Sequence, residues 1–326
     1  MTTLIDPFGR RVNYLRLSVT DRCNLRCSYC MPSDGVSKLD HQEILSYEDL
    51  FRITAAAVSL GVEKVRVTGG EPLVRKRLVD FLRRIAALPR LKVLALTTNG
   101  LLLEEMTDEL LAAGVTRLNI SLDSLNPTTF ATITRCGDLA KVLRGIEYAA
   151  QAGISIKINM VVMRGVNDRE IEDFAALTFS HPYAVRFIEY MPTLTEAQSA
   201  RLAVSGEEVL TRIAARYSLN PLPQDPLAGP ARNFRLKGAL GSVGIITPMS
   251  NHFCGHCNRI RVTSTGMARS CLFAPSSLDL KPLLATGDPI ALQQALRSCI
   301  AGKSERHDIS WQGETGAGFS MATIGG

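Results

Sequence analysis

The sequence has no hydrophobic run of the roughly 20 residues that are needed to cross a bilayer. Its first residues, MTTLIDPFGRR, lack the apolar stretch that follows the basic start of a secretion signal. We therefore expect a cytoplasmic protein with no membrane partner. In that reducing compartment the eight cysteines are expected to be metal ligands or free thiols in preference to disulfides.

Aromatic residues are also scarce, at 6% of the chain, and the formal net charge is only +6. A nucleic-acid-binding protein would show a basic stripe with stacking aromatic side chains, so we expect no nucleic-acid partner. The small positive excess suits a polyanionic small molecule such as a nucleoside triphosphate.

The length of 326 residues exceeds that of one average domain, and 46% hydrophobic residues provide for an ample core. After residue 192 the regular pattern gives way to short apolar pieces, a cysteine cluster and one helix around Ile290–Ile300. We therefore predict a first domain over residues 1–192 and a smaller α+β domain over residues 193–326. Residues 218–233, rich in proline and polar residues, are predicted to be a long connection.

The first domain alternates predicted strands with predicted helices, which indicates a parallel sheet with helical crossovers. One helix is expected to start after Ser46, with Asp49 completing a capping box, and to end at Gly61. The predicted strands are Leu15–Thr20, Lys64–Thr68, Lys92–Thr97, Arg117–Leu122, Ile154–Val161 and Val185–Tyr190.

These strands alternate apolar and polar residues, whereas parallel strands covered on both faces are nearly continuous apolar runs. Leu15 and Leu17, for example, enclose Arg16. One face of the sheet is therefore expected to meet the helices, and the polar face to line a cavity. The predicted fold is an α/β protein with an incomplete, six-unit TIM-like barrel, followed by the C-terminal α+β extension. The alternative is a sheet with one solvated face.

The first cysteine cluster follows the first predicted strand and consists of Cys23, Cys27 and Cys30, with the spacing C-x3-C-x2-C. Three thiolates on one short loop can hold three irons of a 4Fe-4S cluster and leave the fourth iron open. Zinc is the main alternative, although it normally takes four ligands or three with an open site.

The second cluster consists of Cys254, Cys257 and Cys271, with the spacing C-x2-C-x13-C, and it is ambiguous. It suits either another iron–sulfur cluster with an open iron or a zinc site. The candidates for a fourth zinc ligand are His252, His256 and His307.

Two arginines, Arg259 and Arg261, come directly after the second cysteine pair. Guanidinium groups bind phosphates in a bidentate manner, so these residues are candidates for a phosphate site. The alternative is an exposed face of a strand. Cys136 has no partner by spacing and is assigned no role.

The cysteine motif TDRCNLRCSYC resembles the radical S-adenosylmethionine superfamily, and further segments are similar to its GTP 3′,8-cyclase family. The matching segments are FGRRVNYLRLSVTDRCNLRCSYCMP, VRVTGGEPLVR, LTTNG, LNISLDSL, GVNDRE, RFIEYMP, FCGHCNRIRVTSTG and the final IGG. Two departures are His256, where the family has an acidic residue, and the missing arginine before Met321.

The resemblance implies two 4Fe-4S clusters and S-adenosylmethionine as cofactors, with the six clustered cysteines as iron ligands. It implies contacts with S-adenosylmethionine for Tyr29, Gly70, Ser121 and Met191. It implies contacts with GTP for Arg16, Arg66, Thr97, Lys157, Arg259 and Arg261. A catalytic contribution is implied for Arg259, Arg261, Gly325 and Gly326.

The implied reaction starts molybdenum cofactor biosynthesis. A 5′-deoxyadenosyl radical removes the ribose 3′ hydrogen of GTP, and the carbon radical attacks C8 of guanine. The implied partners are GTP, a low-potential electron donor and, downstream, cyclic pyranopterin monophosphate synthase; a homodimer is one alternative for the assembly. Two competing hypotheses are a peptide-modifying radical enzyme and a zinc-stabilised nucleic-acid-binding protein.

Overall fold

The protein is described here from a computed structural model that covers residues 3–32, 35, 39–40, 42–191, 199–274, 277–307 and 324. The strands are β1 (Tyr14–Ser18), β2 (Lys64–Thr68), β3 (Val93–Thr98), β4 (Arg117–Ser121), β5 (Ser155–Val162), β6 (Ala184–Glu189), β7 (Leu219–Pro221), β8 (Arg232–Leu236), β9 (Ser242–Ile246), β10 (Arg259–Val262), β11 (Met267–Arg269) and β12 (Leu278–Asp279). The helices are α1 (Tyr47–Ser59), α2 (Leu78–Ala86), α3 (Leu103–Ala112), α4 (Pro127–Thr134), α5 (Leu139–Gln151), α6 (Ile171–Ser180), α7 (Ser199–Leu202), α8 (Gly206–Ala214), α9 (Lys281–Thr286) and α10 (Pro289–Ala301).

The described strands form one sheet in the order β12-β11-β10-β1-β2-β3-β4-β5-β6-β9-β8-β7. Its six central strands are the six predicted ones, and they pair in parallel in chain order. Helices lie between successive strands along the chain, as a parallel sheet requires. The six-unit partial barrel predicted from the alternation is thereby confirmed.

Two strands from the C-terminal third extend the parallel part of the sheet, which the sequence did not predict. β10 pairs in parallel with β1, and β9 pairs in parallel with β6. Antiparallel strands then flank both sides. The predicted domain boundary between residues 192 and 193 lies outside the described residues, and the chain segments before and after it share this sheet.

The connection predicted over residues 218–233 was wrong at its two ends. Residues there form β7 and the start of β8, which pair in an antiparallel manner. Pro221 is tolerated because β7 is the outermost strand of the sheet, where a missing N–H costs little.

Helix α1 begins where the sequence predicts. The hydroxyl of Ser46 accepts a hydrogen bond from the amide of Asp49 at 3.1 Å, and it donates one to the Asp49 carboxylate at 2.7 Å. Gly61 follows the last turn with a φ of +95°, a left-handed conformation that glycine adopts without strain. Buried Leu50 and Ile53 pack into the main core.

The strand alternation sorts side chains as expected. Leu15 and Leu17 of β1 are fully buried in the core that the helices cover, whereas Arg16 between them faces a cavity on the other side. The parallel registers place Arg16 directly beside Arg66 of β2 and Arg261 of β10. Three guanidinium groups on adjacent strands thus share one row. None of the described helices is both long and apolar enough to traverse a lipid bilayer.

Candidate active site

A cavity of about 260 Å³ lies on the polar face of the sheet. Each of the eight parallel strands contributes at least one lining residue, so the strands enclose the cavity as a barrel encloses its lumen. All six clustered cysteines line this same cavity.

The first cysteine loop is held against the turn that follows β2. The amide of Gly70 donates a hydrogen bond to the carbonyl of Thr20 at 2.7 Å, and the amide of Glu71 donates one to that of Arg22 at 2.8 Å. A Cβ atom on Gly70 would lie 2.5 Å from the carbonyl oxygen of Arg22. Only glycine permits this close approach of two backbones, so Gly70 fixes the position of the cysteine loop.

Glu71 is buried behind the same loop. Its carboxylate accepts hydrogen bonds from the amide of Asn99 at 2.6 Å, the amide of Leu73 at 3.0 Å and the hydroxyl of Thr98 at 2.9 Å. Burial raises the pKa of Glu71 to about 7 despite these donors. The Asn99 side chain in turn donates to Asn24 between the first two cysteines at 2.7 Å, so Glu71 ties the end of β3 to the cysteine loop.

Tyr29, between Cys27 and Cys30, reaches the end of β4. Its hydroxyl donates a hydrogen bond to Asp123 at 2.8 Å, and the amide of Val161 donates to the other oxygen of that carboxylate at 2.8 Å. Burial raises the pKa of Asp123 to about 6. Asp123 and Glu71 were not predicted as site residues, although both stand in segments that carried the resemblance.

The second set of thiols suits a metal cluster. Cys254 and Cys257 precede β10, and Cys271 follows β11. Burial alone would raise the pKa of Cys257, but the charges of Arg259 and Lys303 lower it to about 6, which favours the thiolate that ligates metals. The guanidinium of Arg259 also donates to the Cys257 sulfur at 3.6 Å.

Lys303 is buried close to this second set. Its ammonium donates hydrogen bonds to the backbone carbonyls of Arg259 and Ser270, which lie next to β10 and Cys271. Arg10 links the same region to the N-terminus by donating to the carbonyl of Cys254 at 2.7 Å. The loops that carry the three thiols are therefore fixed by two buried cations.

Most residues expected to contact S-adenosylmethionine or GTP line the cavity. They are Tyr29, Gly70, Ser121, Met191, Arg16, Arg66, Thr97, Arg259 and Arg261. Lys157 is not among the lining residues. Asn159, two positions later on the same face of β5, does line the cavity. Gly325 and Gly326 lie outside the described residues.

Arg186 of β6 lines the cavity too and was missed by the sequence analysis. It alternates with Val185 and Phe187, so the strand parity that selected Arg16 and Arg66 would have found it. Lys64, two residues before Arg66, is buried nearby, and its ammonium donates to the carbonyl of Leu227 at 2.8 Å.

The cations around the cavity have strongly shifted pKa values. Burial and then the charge of Arg186 lower the pKa of Lys157 to about 6. Burial and then Arg66 lower that of Lys64 to about 7, and the same two causes lower that of Arg186 to about 10. Burial is the largest cause of each shift, and the repulsion between neighbouring cations adds to it.

Several of these side chains have a buried polar atom that makes no hydrogen bond within the described residues. These atoms include Nε of Arg16, Arg66 and Arg186, Nη1 of Arg261 and Oγ1 of Thr97. None of these arginines belongs to an ion pair within the part of the chain that the structure describes. Since buried donors are normally satisfied, the cavity is built for an anionic ligand with many acceptor oxygens.

Comparison with known proteins agrees with this geometry. The Radical SAM superfamily model matches residues 17–178, and the Molybdenum Cofactor Synthesis C model matches residues 183–309. The GTP 3′,8-cyclase of Geobacter sulfurreducens is 62% identical over 324 residues, which cover 99% of both chains. That of Alkaliphilus oremlandii is 44% identical, with 98% of this chain and 99% of the relative covered.

Among solved structures, Streptococcus suis SuiB bound to S-adenosylmethionine superposes with a TM-score of 0.60 at 15% identity, over 89% of this chain and 67% of SuiB. At that identity the similarity supports the fold alone. The 62% identity to the Geobacter relative extends over 99% of this chain. The chain therefore belongs to the GTP 3′,8-cyclase family of radical S-adenosylmethionine enzymes.

Proposed function

We propose that this protein cyclises GTP to (8S)-3′,8-cyclo-7,8-dihydroguanosine 5′-triphosphate, in the first step of molybdenum cofactor biosynthesis. The observation that carries the proposal is the shared cavity: two sets of three thiols and several arginines line the same space, and four of these arginines have an N–H group without a hydrogen bond within the described residues. A zinc-stabilised nucleic-acid-binding protein would instead expose its cations on the surface.

In this proposal Cys23, Cys27 and Cys30 hold the first 4Fe-4S cluster, which when bound would supply the electron that cleaves S-adenosylmethionine. Four residues position that cosubstrate: Tyr29, Gly70, Ser121 and Met191. The Tyr29–Asp123 hydrogen bond and the Gly70–Thr20 contact keep the loop and its neighbours rigid, so the reacting atoms can be held in a fixed orientation.

GTP is proposed to lie between the two sets of thiols, with its triphosphate bound by arginines of the cavity wall. Arg16, Arg66 and Arg186 would bind the phosphates, because all three line the cavity and Nε of each makes no hydrogen bond within the described residues. Lys157 would add charge from just beyond the lining, and Thr97 a hydroxyl. Arg259 and Arg261 would hold the guanine end near the second cluster. Gly325 and Gly326 are proposed to contribute to catalysis.

The decisive test is anaerobic incubation of the reconstituted protein with GTP, S-adenosylmethionine and a reductant. We expect both 5′-deoxyadenosine and the cyclised nucleotide. Cys271→Ala should retain S-adenosylmethionine cleavage at an uncoupled level but form no cyclised product, because only the second set of thiols is broken. Product formation by this variant at the wild-type rate would contradict the assignment of the second cluster.

GTP binding should be accompanied by proton uptake. Lys64 and Lys157 have pKa values of about 7 and 6 in the ligand-free protein, so near pH 8 both are mostly neutral. A triphosphate favours their charged forms, so each pKa rises on binding and affinity falls as the pH rises above these values, by at most about tenfold per unit for each proton taken up.

This linkage is measurable by calorimetry at about pH 8, where the terminal phosphate, with a pKa of about 6, is already ionised. The binding enthalpy should differ between buffers of different ionisation enthalpy, and Lys157→Met should reduce the proton count. An enthalpy that is independent of the buffer would show that the two lysines do not gain protons.

The remaining parts of the proposal concern the cellular location and the partners of the enzyme. The enzyme is proposed to act in the cytoplasm, to receive electrons from a low-potential donor and to pass its product to cyclic pyranopterin monophosphate synthase. No interaction with nucleic acid is proposed, and a homodimer is proposed as one alternative for the assembly.

A further inference from the structure

Two histidine rings lie beside one of the second-set cysteines. Nδ1 of His252 and Nε2 of His307 are 3.1 Å apart. With Sγ of Cys254 they form a group whose three ligand atoms all lie within 4.8 Å of one another. The three residues come from the loop after β9, the short turn before β10 and the segment after α10. The fold thus brings together an N₂S donor set from distant parts of the sequence.

This arrangement is fixed by its neighbours. Phe273 packs on the ring of His307 with the ring centroids 4.6 Å apart, and His252 meets the same ring edge-on at 4.4 Å. The guanidinium of Arg10 donates to the carbonyls of Cys254 and Glu305, each at 2.7 Å. Arg10 therefore joins the cysteine loop to the segment that carries His307, which keeps the donor atoms close together.

The spacing suits a tetrahedral transition-metal ion. With Zn–N bonds of about 2.0–2.1 Å and Zn–S bonds of about 2.3 Å, neighbouring nitrogens lie about 3.4 Å apart, and nitrogen and sulfur about 3.6 Å apart. The observed separations of 3.1 Å and at most 4.8 Å need only small side-chain rotations to reach these values. Imidazole and thiolate together are donors that Zn²⁺ prefers. His256, the third histidine of this region, is not part of the group.

We propose that His252, Cys254 and His307 bind a divalent transition-metal ion, Zn²⁺ above all, in the protein that lacks its second iron–sulfur cluster. A water molecule or one of the other two thiols completes the coordination. Binding is a ligand exchange in which the Cys254 proton is released to solvent and no electron moves. Because Cys254 cannot serve both metals, the ion blocks insertion of the second cluster. The ion site does not depend on the proposed function. Only the competition with the second cluster rests on that function.

The first test uses cluster-free protein prepared with a chelator and titrated with Co²⁺, a spectroscopic substitute for Zn²⁺. We expect one ion bound with the visible bands of tetrahedral coordination and a sulfur-to-metal charge-transfer band, all removed by added Zn²⁺. His252→Ala and His307→Ala should each weaken Co²⁺ binding at least tenfold. The matched controls His256→Ala and His181→Ala should bind as the wild type does.

Wild-type affinity and spectrum in both His252→Ala and His307→Ala would overturn the proposal, since the cysteines alone would then hold the ion. If either variant fails to fold, X-ray absorption of the wild-type zinc form decides instead. A shell that contains imidazole scattering from two histidines with one or two sulfurs supports the site, and a shell of sulfur alone overturns it.

The second test addresses competition. Zinc-loaded protein that is reconstituted with iron and sulfide should bind about four irons, whereas metal-free protein should bind about eight, two cubanes of four. In the His252→Ala variant zinc should no longer limit iron uptake. Full iron uptake with zinc retained would overturn the competition while leaving the ion site. If protein that holds both iron–sulfur clusters forms no cyclised product, the proposed function is contradicted. The results on the ion site and on its competition with iron would not be affected.

Discussion

Replacing Cys23, Cys27 and Cys30 together by alanine will abolish reductive cleavage of S-adenosylmethionine and halve the iron content, from about eight to about four per chain. The three thiols line the cavity on one loop, and they are the proposed ligands of the first cluster, so their loss should release that cluster while the second set stays intact. Iron and sulfide analysis and chromatography of 5′-deoxyadenosine measure the two effects.

Cys136→Ala is the matched control for this variant. Cys136 is exposed, and its thiol contacts the carbonyl of Asn24 in the same cysteine loop at 3.4 Å. It is not among the cavity-lining cysteines, so iron content and cleavage should stay at the wild-type level. Full iron retention in the triple variant would show that these thiols hold no cluster.

Replacing Arg66 by alanine will weaken GTP binding about 10- to 100-fold, which corresponds to the ~1.5–3 kcal/mol of a hydrogen bond to a charged group. Arg66 is 8% exposed, its Nε makes no hydrogen bond within the described residues, and it lies beside Arg16 of the neighbouring strand in the cavity wall. Guanosine, which lacks the phosphates, should lose much less affinity. Equilibrium binding of both ligands measures the difference.

Two variants make this result specific. Arg66→Lys keeps the charge but loses the planar donor pair, so it should recover part of the affinity. Arg84→Ala removes an exposed arginine that pairs with Glu48 on the outer helices, and it should leave binding unchanged. Equal losses for GTP and guanosine would place Arg66 away from the triphosphate.

The sequence predicted the lumen because strand alternation is a local property. Side chains two residues apart on a strand share a face, so Arg16, Arg66 and Thr97 could be assigned to one side of the sheet before any pairing was known. The same rule would have included Arg186. The cysteine spacings were equally local, and they identified both sets of thiols that line the cavity.

Other features depend on pairings between distant residues. From the sequence alone, Arg261 could have been a surface residue. It is a neighbour of Arg16 because β10 pairs with β1, and no local pattern indicates that pairing. Glu71 and Asp123 act through partners on other strands, so their roles became visible only in three dimensions. The three histidines considered as a fourth zinc ligand could likewise be distinguished only in three dimensions. His252 and His307 lie close to Cys254, whereas His256 is not part of that group.

The position of β10 also has a consequence for biogenesis. Arg10 and Cys254, which contact each other beside this strand, are 244 positions apart in the chain. During synthesis the wall that β10 contributes is therefore added last, long after β1 and its cysteine loop have left the ribosome. Contacts of such long sequence separation form slowly. We expect the first cysteine loop to remain open on one side until then, so the chain can accept iron there before the second set of thiols exists as a site.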